Sequence, residues 1–153
     1  MRRKDKEMDA AFALEVLERC PFATLAMVRP DGGPYAIHIS PALVDGAVVF
    51  HCAEEGMKAD CLRANPQVCL TAACDVVPVP ERFTTEYSSA VAFGRAEEVT
   101  DDQEKIRALR AICERYAASN MEGFDGAIER SLRRTAIWKI TLDELTGKRK
   151  KIG

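Results

Sequence analysis

The sequence predicts an α+β domain, mainly β, built around a small antiparallel barrel. Three observations carry that expectation. Several runs have strand-like alternation, an Asp45-Gly46 step lies between two of them, and the helices gather at the start, once between strands, and as a pair before the last strand. A doubly wound parallel sheet would need regular strand-helix-strand alternation, which this order lacks. At 153 residues the chain reads as one domain over 1–153, long enough to bury roughly two thirds of its unfolded surface.

Asp9 to Arg19 has helical spacing, with Phe12, Val16 and Leu17 on one side, and Cys20-Pro21 closes it because proline cannot donate the next bond. Phe22 to Arg29 is strand-like, Pro30-Asp31-Gly32-Gly33 is a turn cluster, and Pro34 to Val44 is a second strand. In that strand Tyr35, Ile37 and Ile39 alternate with Ala36, His38 and Ser40, so polar groups share one face. Asp45-Gly46 then predicts a two-residue hairpin loop into Ala47 to Ala53. With Val44 opposite Ala47, Ser40 is expected to face His51 and His38 to face Ala53. One polar cluster of His38, Ser40 and His51 follows, unless a bulge at Pro41 shifts the register.

Glu55 to Asn65 reads as a short helix stopped by Asn65-Pro66, and Gln67 to Asp75 as a strand. Val76 to Glu81, with two prolines, reads as an exposed connection. Phe83 to Val99 is a long strand, broken or bulged near Gly94. Thr100 with Gln103 predicts a capping box, opening a helix to about Ala118 with Ile106, Leu109, Ile112 and Tyr116 buried. Ser119 to Gly123 interrupts, a shorter helix runs to about Arg133, and Thr135 to Leu142 forms the last strand.

Composition excludes several functions. With 47% hydrophobic and 30% charged residues and a formal charge of −2, the chain falls in the soluble range and offers no global attraction for nucleic acid. The basic runs Met1-Arg2-Arg3-Lys4 and Lys148-Arg149-Lys150-Lys151 read as solvated ends. No apolar run approaches the roughly 20 residues that span a bilayer, and no apolar stretch follows the basic start, so no membrane partner and a cytoplasmic location are expected. The cysteines Cys20, Cys52, Cys61, Cys69, Cys74 and Cys113 include no C-x-x-C pair. They read as reduced, buried small hydrophobes with no metal site.

The residues with chemical potential cluster near one helix start. Lys58 falls in the first turn after Gly56, where free amides and the helix dipole favour an anion. No phosphate-loop or dinucleotide fingerprint is present, and no nucleophile elbow supports a hydrolase built on Ser40 and His51. Tyr87-Ser88-Ser89 puts hydroxyls at the start of the long strand. Trp138 shares a face with Ala136 and Ile140, which suits a core residue or one that stacks on a ligand.

Taken in order, Gly33-Pro34-Tyr35, Asp45-Gly46, Phe50-His51, Gly56-x-Lys58, Asn65-Pro66-x-Val68, Thr84-Thr85-x-Tyr87-x-Ser89, Gly94-x-Ala96-Glu97 and Thr146-Gly147-Lys148, preceded by the Met1 to Asp5 start and the Ala13 to Cys20 helix, resemble the FMN-binding split-barrel superfamily related to pyridoxamine 5′-phosphate oxidase. Within it they are most similar to the 5-nitroimidazole resistance branch. The resemblance implies a six-stranded split barrel with peripheral helices, a homodimer with FMN at the subunit interface, and a small-molecule substrate. It implies that His38, Ile39 and Ser40 edge the flavin ring, that His51, Cys52 and Ala53 follow it towards the ribityl chain, and that Lys58 holds the phosphate. It also implies that Tyr87, Ser88 and Ser89 reach the same region, from the partner subunit if not from their own, and that His51 is the catalytic candidate. Two positions depart from the family's pattern: Met57 stands where Gly-Arg-Lys is usual, and Ser88 where Tyr-Arg-Ser is usual. Each departure removes a bidentate phosphate partner, leaving Arg63 or Arg82 as substitutes and Met57 as an apolar contact. Haem is the alternative cofactor.

Overall fold

The computed structural model describes residues 3–152, so Met1 and Arg2 of the initial basic run lie outside it. The elements in chain order are β1 (Glu7–Met8), α1 (Ala10–Arg19), β2 (Ala23–Val28), β3 (Pro34–Ile39), β4 (Ala42–Val44), β5 (Ala47–Ala53), α2 (Met57–Ala64), β6 (Gln67–Val79), β7 (Thr84–Val99), α3 (Asp102–Tyr116), α4 (Phe124–Ser131) and β8 (Thr135–Lys150). The expected six strands become eight, in one antiparallel sheet ordered β3-β2-β6-β7-β8-β5-β4, with β1 on β8.

The two ends of that order are consecutive in sequence. β3 and β4 are joined only by Ser40-Pro41, so the sheet curls to bring its two ends to one corner, where no ladder joins β3 to β4 and a seam stays open, as in a split barrel. Proline cannot donate to a ladder, and the expected single strand from Pro34 to Val44 divides at this step. The hairpin at Asp45-Gly46 forms as expected, with both residues at positive φ and Val44 opposite Ala47, Leu43 opposite Val48 and Ala42 opposite Val49. That register does not extend beyond Ala42. β3 turns away to β2, placing His38 opposite Thr24, while His51 pairs with Ile137 of β8. The polar cluster of His38, Ser40 and His51 therefore does not form through a shared ladder.

Side chains alternate between two apolar bodies. Val48, Phe50, Trp138 and Ile140 join Leu17, Leu25 and Leu70 between the curled sheet and α1. Val49 and Ile137 face outward and are covered with Ile112 of α3 and Phe124 of α4. Burial on both faces is why Ala47 to Phe50 reads as an unbroken apolar run.

Other boundaries differ for identifiable reasons. β6 continues to Val79 through a bulge between Cys74 and Val77, where Asp75 takes a φ of 53°. The expected connection is thus a strand, though Val76 and Val77 are exposed as anticipated. The irregularity near Gly94 is a register shift against β8, with Phe93 opposite Glu144 and Gly94 opposite Leu142. β8 itself runs to Lys150, not Leu142, because β7 offers it partners as far as Tyr87, so Lys148, Arg149 and Lys150 are strand residues and not a loose tail. α3 is capped by Asp101, whose carboxylate accepts the Glu104 amide at 2.9 Å, and not by Thr100. A negative group at the positive helix end explains the choice. Tyr116 is 38% exposed, since its hydroxyl reaches out to the Pro41 carbonyl at 2.9 Å. The buried position goes to Lys105, whose ammonium donates to the Leu132 carbonyl at 3.0 Å. All six cysteines are free, but only Cys20 and Cys61 are buried; the other four are half-buried.

Candidate functional site

β5 ends at His51-Cys52-Ala53, and Glu54-Glu55-Gly56 carries the chain into α2. Gly56 occupies the N-cap position at a φ of 122°, a conformation that L side chains rarely adopt. Having no side chain, it leaves α2 without a side-chain cap. The first amides of the helix and its positive dipole end are therefore available to an anion. Lys58 is the second residue of the helix; it is half-buried, with Nζ 5.8 Å from the centre of the Phe50 ring. Met57 beside it is 48% exposed.

Around this helix start the sequence-predicted residues divide. His51, Cys52, Ala53, Met57 and Lys58 come together as one stretch. His51 is exposed as a residue; partial loss of solvation at its ring pushes the imidazole below its ordinary value, and the Lys58 charge pushes the same way. At neutral pH the ring is thus an uncharged donor and acceptor. Burial pushes the Cys52 thiol up, with the Lys58 charge and the Trp138 indole N–H acting against it. Trp138 is a core residue, 2% exposed. Its Nε1 is near enough for the thiol to feel but short of hydrogen-bond geometry, and has no partner among the described residues. A buried donor left open costs about 1–3 kcal/mol, so it marks a place where an acceptor is missing.

The remaining candidates lie elsewhere in the single chain. Ile39 is buried and Ser40 exposed at the seam. His38 is exposed, its Nδ1 3.1 Å from the Thr24 hydroxyl and its ring 4.8 Å from that of Phe22. Tyr87, Ser88 and Ser89 pair with Lys150, Arg149 and Lys148, whereas His51 pairs with Ile137 near the other end of β8. One chain therefore does not bring Tyr87 to Ser89 to Lys58. Ser88 is 2% exposed and donates to Asp75 at 3.0 Å, so its hydroxyl does not face an external ligand as expected. Arg63, a possible stand-in for the missing arginine, is held by Glu98, Nε at 3.2 Å and Nη2 at 3.0 Å from its carboxylate. Arg82 sits in a 3-10 turn between β6 and β7, a strand length from α2. Sequence reasoning missed the Trp138 donor and the Arg63–Glu98 pair. The first had a signal in the lone tryptophan of an apolar strand; the second, 35 residues apart, had none.

The sequence matches the family model described as pyridoxamine 5′-phosphate oxidase over residues 9–149. The chain belongs to that family. Solved structures resemble this member of the pyridoxamine 5′-phosphate oxidase family along nearly its whole length. A candidate 5-nitroimidazole antibiotic resistance protein from Bacteroides thetaiotaomicron is 23% identical, with a TM-score of 0.80 over 93% of this chain and 85% of that one. An FAD and haem binding protein from Mycobacterium smegmatis is also 23% identical, with a TM-score of 0.81 over 96% and 74%. An FAD-binding protein from Mesorhizobium loti is 21% identical, with a TM-score of 0.70 over 95% and 98%. At these identities the likeness is one of fold, and it fits the split-barrel superfamily. No curated protein matches the chain.

Proposed function

We propose that the protein is a homodimeric FMN-binding oxidoreductase that reduces a small electron-poor substrate, such as a nitroimidazole or another nitro-aromatic, with electrons from NADH or NADPH. The observation that carries this reading is the start of α2: an uncapped helix opened by Gly56 at positive φ, with Lys58 in its first turn, directly after the strand that bears His51. A phosphate monoester suits that arrangement, because the free amides and the lysine of one helix turn both favour an anion. The open Trp138 Nε1 nearby favours a polar occupant over an empty surface. FMN, when bound, supplies the hydride and electron chemistry.

The chain's own residues bind, border and exclude. Lys58 and the α2 amides hold the phosphate, Met57 covers an apolar part of the ligand, and Cys52 and Ala53 border the ribityl chain. His38, Ile39 and Ser40 edge the ring from the seam. His51, uncharged at neutral pH, holds or accepts a proton at an imidazole nitrogen beside the substrate. Tyr87 and Ser89 contribute from a second copy. They pair with the far end of β8, about 40 Å of strand from the residues beside His51 at ~3.3 Å per residue. Val28, Val91 and Phe93 are exposed on the sheet, an apolar surface that a second copy would cover.

An absorbance spectrum of the purified protein and a titration with FMN test the reading. Bound flavin that NADH or NADPH reduces and a nitro-aromatic reoxidises at catalytic rate supports it; an inert flavin sinks the enzymatic part. Lys58→Ala should weaken FMN ~10- to 100-fold, the loss of one charge-assisted contact of about 1.5–3 kcal/mol. A second reading, a flavin- or haem-sequestering protein without turnover, is favoured by Met57 in place of an arginine and by the mycobacterial neighbour that binds FAD and haem. A Soret band would select it.

A further inference from the structure

A second groove, of about 370 Å³, opens where α1 crosses the far ends of β7 and β8. That volume falls in the range of small-molecule sites. We propose that it binds a small dianion, a phosphate monoester on a compact apolar body, independently of the site at α2.

The charges on the groove wall are unequally satisfied. Of the carboxylates on the groove wall, Glu15 and Asp75 are both held by Arg19, at 3.1 and 2.5 Å. Glu86 accepts only the neutral Ile152 amide, at 2.5 Å, and keeps its charge. The unpaired cations outnumber it. Lys150 is bonded to the neutral hydroxyl of Thr84 and keeps its charge. Arg149 and Lys151 have no carboxylate partner among the described residues. Arg149 is not adrift, since its guanidinium lies 5.4 Å from the centre of the Phe12 ring. It is thus held against an apolar wall with its donors free, the arrangement in which an arginine takes a phosphate bidentately.

Tyr87 also lines the groove, with Lys148 Nζ 5.4 Å from the centre of its ring. Its phenol is pulled below the ordinary tyrosine value, first by Lys148 and also by the charges of Lys6 and Lys150, in keeping with that excess of cations. Phe12 and Val77 on the wall supply a surface for the body of the ligand. Because Arg149 and Lys150 belong to a paired strand, their backbone is ordered before any ligand arrives, so binding costs less conformational entropy than a flexible tail would.

Within one chain the groove lies apart from the α2 site, and of its lining only Tyr87 and Ser88 belong to the region expected at the flavin of a second copy. Arg149 lies about 45 Å of strand from Thr135, which is opposite Ala53 at the end of β5. The test uses phenyl phosphate as the probe, followed by calorimetry and by amide shifts in NMR, on the full chain carrying Lys58→Ala so that the α2 site does not compete. Saturable binding with shifts at Phe12, Arg19 and Arg149, which the flavin site does not use, is expected. Arg149→Glu should weaken it at least 10-fold. Asp75→Asn should tighten it several-fold by freeing Arg19, and asparagine tolerates the positive φ at that position. Benzoate, with one charge, should bind several-fold more weakly. Absence of saturable binding, indifference to Arg149→Glu, or shifts confined to α2 would each overturn the proposal, and benzoate binding as well as phenyl phosphate would overturn its dianionic character.

Discussion

His51 links the chemistry of the site to the stability of the fold. Its imidazole titrates below the ordinary value of 6.5 because desolvation and Lys58 both oppose the charged form. Below pH 6.5 the unfolded chain therefore binds more protons than the folded one, and stability is lost as pH falls through the folded value. Denaturant melts of the wild type and His51→Gln between pH 5 and 8 should show a shallower acid slope in the variant. An unchanged slope would mean that His51 is solvated like a free histidine. The same residue shows how far a sequence can be read at this scale. Its place at a strand end before Gly56 and Lys58 was legible, because local patterning fixes it. Its separation from His38 was not, because that depends on whether Pro41 ends one ladder and begins another.

Helix ends and strand irregularities carry the next level of information. Asp101→Ala should cost about 1 kcal/mol, whereas Thr100→Ala should stay within about 0.5 kcal/mol; equal losses would return the cap to Thr100. Gly94 matters for a different reason: a Cβ there would collide with the Thr141 carbonyl oxygen and crowd the Ile140 side chain. Gly94→Ala should therefore destabilise by about 1–3 kcal/mol or more, read as a lower urea midpoint at unchanged slope. Element types and order were visible because period and turn residues are local signals. The extra length of β6 and β8 was not, since Val76 to Val79 and Asp143 to Lys150 look like loop or tail until β7 is placed beside them. The branch-point proline was visible as a disturbance but not as a seam.

At the scale of the molecule, the seam is tied by two neighbouring side chains of α3, Arg115 and Tyr116. Arg115, at the end of α3, donates to the Pro41 carbonyl at 2.7 Å and to the Leu17 and Cys20 carbonyls at 2.9 and 2.6 Å. It joins the β3–β4 junction to the end of α1, where a cation also suits the helix dipole. No sequence pattern reveals a contact spanning 74 to 98 residues. Arg115→Ala should cost about 2–4 kcal/mol by removing three hydrogen bonds and leaving the Pro41 carbonyl to Tyr116 alone, and should raise amide exchange in β3 and β4 before β6 and β7. Uniform exchange would show that the seam is held by packing alone. The position of β8 has a consequence for how the chain is made. The last strand in sequence lies between β7 and β5, so during translation both wait with an open edge until Thr135–Lys150 has left the ribosome. Until then Phe50 has no Trp138 opposite it, and the two open edges are free to pair with other chains.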